Sequence, residues 1–158
     1  NLALPYVFDC MIVESLEGAY GVRATSYAGS RAHYHSSACG KAILAFMSLE
    51  VREAIYAARP LVAMTPNTIT DRAALERELA DIRERGFSTD IEENELGAHC
   101  AAAPIRDHSG DIIGAISISG LASRIPTSQL KDAAALILAE AGKLTGLLGG
   151  RPKGKTKA

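Results

Sequence analysis

A chain of 158 residues, 47% hydrophobic and 22% charged, is long enough to close one sizeable core and is composed like an ordinary globular domain. Its formal net charge of −1 leaves no electrostatic footprint for nucleic acid over the whole chain, and no apolar run approaches membrane-spanning length. Three cysteines (Cys10, Cys39 and Cys100), odd in number and widely spaced, argue for the reducing cytoplasm rather than a disulfide framework. No basic region followed by an apolar core marks a signal peptide. The opening Asn1-Leu2-Ala3-Leu4, with no initiator methionine, reads as the start of a piece of something longer.

In chain order, residues 1–7 and 10–16 read as strands, the second rich in Met, Ile and Val. Glu17-Gly18 signals a turn, and residues 20–27 alternate as a further strand ending near Gly29, which completes an antiparallel meander. Ser36 or Ser37 can cap a helix running through Lys41 to Phe46, with Gly40 near its start allowing close backbone approach. Ser48 caps a short helix that carries Val51 and Ile55 and ends before Pro60. After the loop Thr65-Pro66-Asn67-Thr68-Ile69-Thr70, Asp71 caps a third helix, Arg72–Arg85, with Leu75, Leu79 and Ile82 at helical spacing and Gly86 as its stop. Residues 87–91 form a short strand, and Glu92, Glu93 and Glu95 lead to Gly97. Thr127 caps a long final helix whose stripe is Leu130, Ala133, Ala134, Ile137, Ala141, Leu144 and Leu148, ending at Gly149-Gly150. The last eight residues, RPKGKTKA, are polar and basic and read as a disordered tail.

Residues 99–120 are the stretch that carries chemistry. They read as two strands joined by a four-residue turn, Asp107-His108-Ser109-Gly110. That turn sets Arg106 opposite Asp111 and Cys100 opposite Ser117, with Ser119 diagonal to them on the same face. Ala102, Ile113 and Ala115 share this face, while Ala101, Ala103, Ile105, Ile112, Ile116 and Ile118 fill the other. Both faces are largely apolar, as for a sheet covered on both sides. Three small polar groups on a covered face need partners, and a bound polar molecule can supply them.

The order of strands, helices, strand, hairpin and helix contains no regular βαβ crossover. It predicts an α/β (α+β) fold, a mixed and mainly antiparallel sheet flanked by helices. There is no internal repeat, Walker loop, dinucleotide fingerprint, HExxH or CxxC, so no cofactor is called for.

Three segments together resemble the C-terminal effector-binding domain of the IclR family of bacterial transcription regulators. They are His35-Ser36-Ser37-Ala38-Cys39-Gly40-Lys41-Ala42, the Leu61-to-Thr70 loop before the Asp-capped helix, and residues 92–120 with their Glu-Glu, Cys-x-Ala-Ala-Pro, Asp-x-x-Gly and Ser-Ile-Ser-Gly patterns. The resemblance spans nearly all of residues 1–149. It implies a GAF-like fold that binds a small organic acid, with residues 1–149 as the effector domain, 150–158 as tail, and an N-terminal winged helix-turn-helix for operator DNA absent from this chain. It also implies a homodimer or homotetramer, a cytoplasmic location, no membrane partner and no enzyme activity. Carried over residue by residue, the pocket takes the backbone amides of Ala38 and Cys39, with Asp90, Cys100, Ser117 and Ser119 as polar side chains. A cysteine at position 39 departs from the usual pattern and narrows the pocket or adds a thiol to it.

Two other readings compete. His33, His35, His99, Cys39 and Cys100 are ligand types for zinc, although their spacing matches no known pattern and His99 faces away from Cys100 in a regular strand. Cys39, near a helix N-terminus that lowers thiol pKa values, or Cys100 could serve as the nucleophile of a thiol enzyme, but no His–acid partner set accompanies either. His35 reads as a packing or capping residue and Lys41 as a solvated or ion-pairing lysine, while the basic tail reads as a solubilising segment rather than a DNA contact.

Overall fold

A computed structural model describes residues 1–18 and 26–150. The strand expected over residues 20–27 falls largely outside these, as does the tail from residue 151. Strands β1 (Leu2–Tyr6) and β2 (Asp9–Glu14) form the first hairpin, followed by the two-residue strand β3 (Arg31–Ala32). Helices α1 (Ala38–Leu44), α2 (Leu49–Ala58) and α3 (Arg72–Arg85) come next, then strands β4 (Ser88–Ile91), β5 (Ala98–Arg106) and β6 (Ile112–Leu121), and finally α4 (Leu130–Leu147). Among the described residues the sheet has six strands in the order β3-β2-β1-β6-β5-β4, every neighbouring pair antiparallel. The mixed α/β architecture with a mainly antiparallel sheet is therefore what the sequence predicted. No helix among the described residues is long and apolar enough to cross a membrane.

The helix starts follow capping chemistry. Ser37, Ser48 and Asp71 are N-caps whose side chains accept from the N–H groups of Gly40, Val51 and Ala74. Gly86 closes α3 at φ 83, the left-handed region that glycine enters without penalty. At the last helix the expected cap is not formed. Thr127 instead opens a 3-10 turn, Thr127–Gln129, that runs into α4 with no side-chain cap. Its i→i+3 bonds, such as Gln129 N–H to Pro126 O at 2.8 Å, take over the satisfaction of first-turn groups.

One face of the sheet packs against α1, α2 and α3. Ala3, Cys10, Ile12, Ala102 and Ala115 from the strands meet Ile43, Leu44, Leu75, Leu79 and Ile82 in one buried cluster. All seven residues of α1 are buried. This helix lies so close to the chain preceding it that a Cβ on Gly40 would stand 2.3 Å from the His33 carbonyl oxygen. The opposite face carries α4, where Ala101 meets Ala133 and Ala134. Covering on that face is partial, because α4 packs mainly on β5. Leu4, Tyr6, Val13 and Ile118 stay between 37% and 39% exposed, so the sheet is not covered on both sides along its whole width.

The β5–β6 hairpin differs in register from the four-residue turn. Its loop has five residues, 107–111, and the ladder shifts between Ile105 and Arg106. Asp107 organises this loop by accepting the N–H groups of Ser109 and Asp111, and Gly110 adopts φ 88. Arg106 consequently pairs with Ile112 rather than Asp111, Cys100 with Ser119, and Ala102 with Ser117. The displacement is one residue at Arg106 and two beyond the irregularity, an even number, so Cys100, Ser117 and Ser119 still share a face. The irregularity does change one apolar neighbour: Ile112, not Ile113, joins the cluster beneath α1.

Candidate functional site

The first turn of α1 lies over the face of β5 and β6 that carries the small polar groups. Ser37 Oγ accepts the Gly40 N–H at 3.0 Å. The N–H groups of Ala38 and Cys39 precede the first intrahelical acceptor and are the first-turn donors that a cap leaves over. Ser88 fixes this end of the helix to the sheet by donating to the Ala38 carbonyl at 2.6 Å, and Ser36 donates to Asn94 Oδ1 at 2.9 Å. Beneath, the Cys39 thiol lies against the Ser117 hydroxyl, and the Cys100 thiol lies beside Ser119 and Asp90. Asp90 pairs with Cys100 across β4 and β5. Thus Ala38, Cys39, Asp90, Cys100, Ser117 and Ser119 converge from four elements on one side of the sheet.

Electrostatics divides these groups by role. Asp90 is buried, and Oδ1 accepts the N–H groups of Glu93 (2.8 Å) and Asn94 (3.2 Å), which shapes the loop leading from β4 to β5. Burial raises its pKa above the ordinary carboxylate value, with those two N–H groups opposing the shift. The Cys100 thiol is pushed up to about 12 and the Cys39 thiol is also raised, in both cases chiefly by burial. Cys39 therefore departs from the expectation of a thiol activated by the helix N-terminus: loss of water outweighs the helix dipole. Neither thiol is poised as a nucleophile.

Sequence reasoning missed three parts of the site. Asn1 reaches both hydroxyls, its Nδ2 standing 3.3 Å from Ser117 Oγ and 3.3 Å from Ser119 Oγ, while its Oδ1 accepts from Ser15 at 2.7 Å. It does so because β1 lies next to β6, a neighbour 116 residues away that no local pattern announces. Lys41 is 1% exposed, with Nζ at 2.6 Å and 2.7 Å from the two oxygens of Glu93 and 3.6 Å from Glu78. It is the ion-pairing lysine of the two alternatives, and a buried one. Thr65 and Thr68 clamp the same loop, their hydroxyls donating to the Glu92 and Glu93 carbonyls at 2.6 Å each. The loop Thr65–Thr70 was legible as a loop, but its grip on residues 92 and 93 was not.

The histidines do not join this site. His99 turns to the α4 side of the sheet, with Nδ1 2.7 Å from the Ile125 carbonyl. His33 and His35 lie near Asp9 and Val62, their rings 5.5 Å apart. His35 is a buried packing residue held by the Val62 carbonyl. Among the described residues, no three His, Cys, Asp or Glu side chains come together as a metal site. Two surface cavities, both bordered by Tyr56 and Leu61, include none of the six converging residues.

Residues 7–145 match the family described as bacterial transcriptional regulator IclR, C-terminal. The HTH-type transcriptional regulator XynR of Escherichia coli strain K12 is 36% identical over 120 residues, which cover 76% of this chain and 48% of that protein. The HTH-type transcriptional repressor AllR of Klebsiella pneumoniae is 32% identical over 153 residues, 97% of this chain and 56% of that protein. The crystal structure of the Thermotoga maritima IclR superposes with a TM-score of 0.88 at 34% identity, covering 94% of this chain and 60% of the other. The chain thus spans about half the length of the curated relatives it matches. It belongs to the IclR family of bacterial transcriptional regulators and corresponds to that family's C-terminal domain.

Proposed function

We propose that this chain is the effector-sensing domain of a cytoplasmic IclR-type regulator and that its effector is a small organic carboxylate, of the keto acid, sugar acid or aromatic acid class. The observation that carries the reading is the placement of the α1 first turn over Ser117 and Ser119. In this reading the Ala38 and Cys39 amides and the two hydroxyls receive the carboxylate as hydrogen-bond donors, a task that needs no cationic side chain. Asn1 Nδ2, already within reach of both hydroxyls, is a further donor to the same spot. Asp90 holds the β4–β5 loop in shape and, with Cys100, borders the ligand; a hydroxyl on the acid would donate to the carboxylate. Apolar residues of the cluster under α1 close over the remainder.

The chemistry is recognition rather than turnover. With both site thiols held protonated, no activated nucleophile stands among these residues. Regulation follows if the acid binds two arrangements of the full-length protein unequally, in a homodimer or homotetramer whose DNA-binding segments meet an operator. A thermal-shift screen of 2-keto, sugar and aromatic acids tests this reading. One class should raise the melting temperature in proportion to the logarithm of concentration, and a flat response across all three classes would remove the assignment.

A further inference from the structure

A second site lies away from the six converging residues. A cavity of about 130 Å³ is bounded by the β1–β2 turn, the segment before α1, and α2 with the chain that follows it. This is well under the roughly 300 Å³ at which pockets for drug-sized ligands begin, so any occupant is small. Its apolar wall is made by Leu44, Ile55, Tyr56 and Leu61. Its polar wall carries the Asp9 carboxylate, the His33 and His35 rings and the Arg59 guanidinium.

Asp9 is a buried carboxylate on that wall. Its Oδ1 is 3.3 Å from His33 Nδ1, and its Oδ2 is 3.5 Å from Arg59 Nη2, at the limit of hydrogen bonding. The Arg59 side chain is itself half-exposed. The Asp9 carboxylate holds the His33 ring with a proton on Nδ1 facing it. The Val62 carbonyl, 2.9 Å from His35 Nε2, likewise holds the His35 proton on Nε2 and leaves Nδ1 an acceptor. Burial holds His35 below its ordinary pKa, so its ring stays neutral. Tyr34 also lines the cavity, with its hydroxyl buried. A buried carboxylate with loose partners is costly to keep desolvated and gains from a better-placed donor.

We propose that this cavity is a second binding site, for a small primary amine on an aromatic or aliphatic body, whose ammonium displaces the Arg59 guanidinium from Asp9. The ammonium brings compact donors to the Asp9 carboxylate, and the Tyr56 ring supplies an aromatic wall for the body and for the charge. Arg59 is then a placeholder that neutralises Asp9 in the ligand's absence. The site is independent of the carboxylate-binding reading, since it shares no residue with it.

Calorimetric titration with benzylamine, with benzoate as the opposite-charge control, tests the assignment on the wild-type chain and on Arg59→Ala, Asp9→Asn and Ser117→Ala. Benzylamine should bind the wild type. Arg59→Ala should tighten that binding several-fold, because the competing cation is gone. Asp9→Asn should weaken it about tenfold or more, the weight of one charge-assisted hydrogen bond. Ser117→Ala should leave it unchanged. Melting curves without ligand show whether Asp9→Asn is folded; if it is not, the Arg59→Ala result decides alone. The proposal is overturned if benzylamine fails to bind both the wild type and Arg59→Ala, or if its binding is indifferent to both Asp9 and Arg59. Benzoate binding that Arg59→Ala abolishes would overturn it as well, by making the site an anion site.

Discussion

Ser117 and Ser119 are the residues on which recognition turns. Each hydroxyl already has the Asn1 amide at 3.3 Å, so removing one hydroxyl leaves no buried charge behind. Ser117→Ala and Ser119→Ala should each weaken carboxylate binding about tenfold, within the range for hydrogen bonds to a charged group, while the unliganded melting temperature stays within a few degrees. Isothermal titration beside thermal melting separates the two effects. Lys41 behaves in the opposite way. Its ammonium is sealed against Glu93, with Glu78 3.6 Å away, and deleting it strands the Glu93 carboxylate in the interior. Lys41→Met should cost about 3–5 kcal/mol in urea unfolding. Lys41→Met combined with Glu93→Gln should cost less than the sum of the two single changes, because both members of the pair then lose their charge together.

At the scale of elements, α1 is short, fully buried and held from several sides, and Gly40 is the position that permits it. A methyl group there would meet His33 O at 2.3 Å, Ser37 Oγ at 2.6 Å and Tyr34 Cα at 2.7 Å. Two of those neighbours are backbone and cannot step aside. Gly40→Ala should therefore lower stability by more than about 2 kcal/mol despite the better helix propensity of alanine, as read by chemical denaturation. The same helix shows what the sequence could and could not convey. Caps and stops are local chemistry, so Ser37, Ser48, Asp71 and Gly86 were readable. Face alternation is also local, so Cys100, Ser117 and Ser119 could be grouped. Register depends on where a ladder slips, and the irregularity beside Ile105 moved Cys100 from Ser117 to Ser119. Contacts set by which strands become neighbours were out of reach, and Asn1 against β6 is the clearest of them. The charge cluster of Lys41, Glu78 and Glu93 joins three segments by the same long-range logic.

For the whole molecule, buried thiols tie stability to alkaline pH. Cys100 titrates near 12 when folded, far above an exposed thiol. Between the unfolded and folded values the unfolded chain loses its thiol proton while the folded chain keeps it. The stabilising contribution is thus whole below the unfolded value, near 8.5, and is lost as pH climbs from there toward about 12. Chemical denaturation at stepped pH should show stability falling across that window. In Cys100→Ala the fall should be shallower, with Cys10 and Cys39, also raised by burial, accounting for part of the remainder. At pH 8 the buried Cys10 and Cys39 of the folded protein should react with a thiol reagent only as fast as it opens.

In the proposed function, one face of the β5–β6 hairpin, together with the first turn of α1, receives a small carboxylate. The most direct measurement is calorimetric titration of this chain with 2-keto, sugar and aromatic acids, repeated on the Ser117→Ala/Ser119→Ala double variant. One acid class should bind the wild type, and the double variant, with an unchanged melting temperature, should lose affinity by well over tenfold. Equal affinity in the two proteins, or no binding by any class to the wild type, would contradict it.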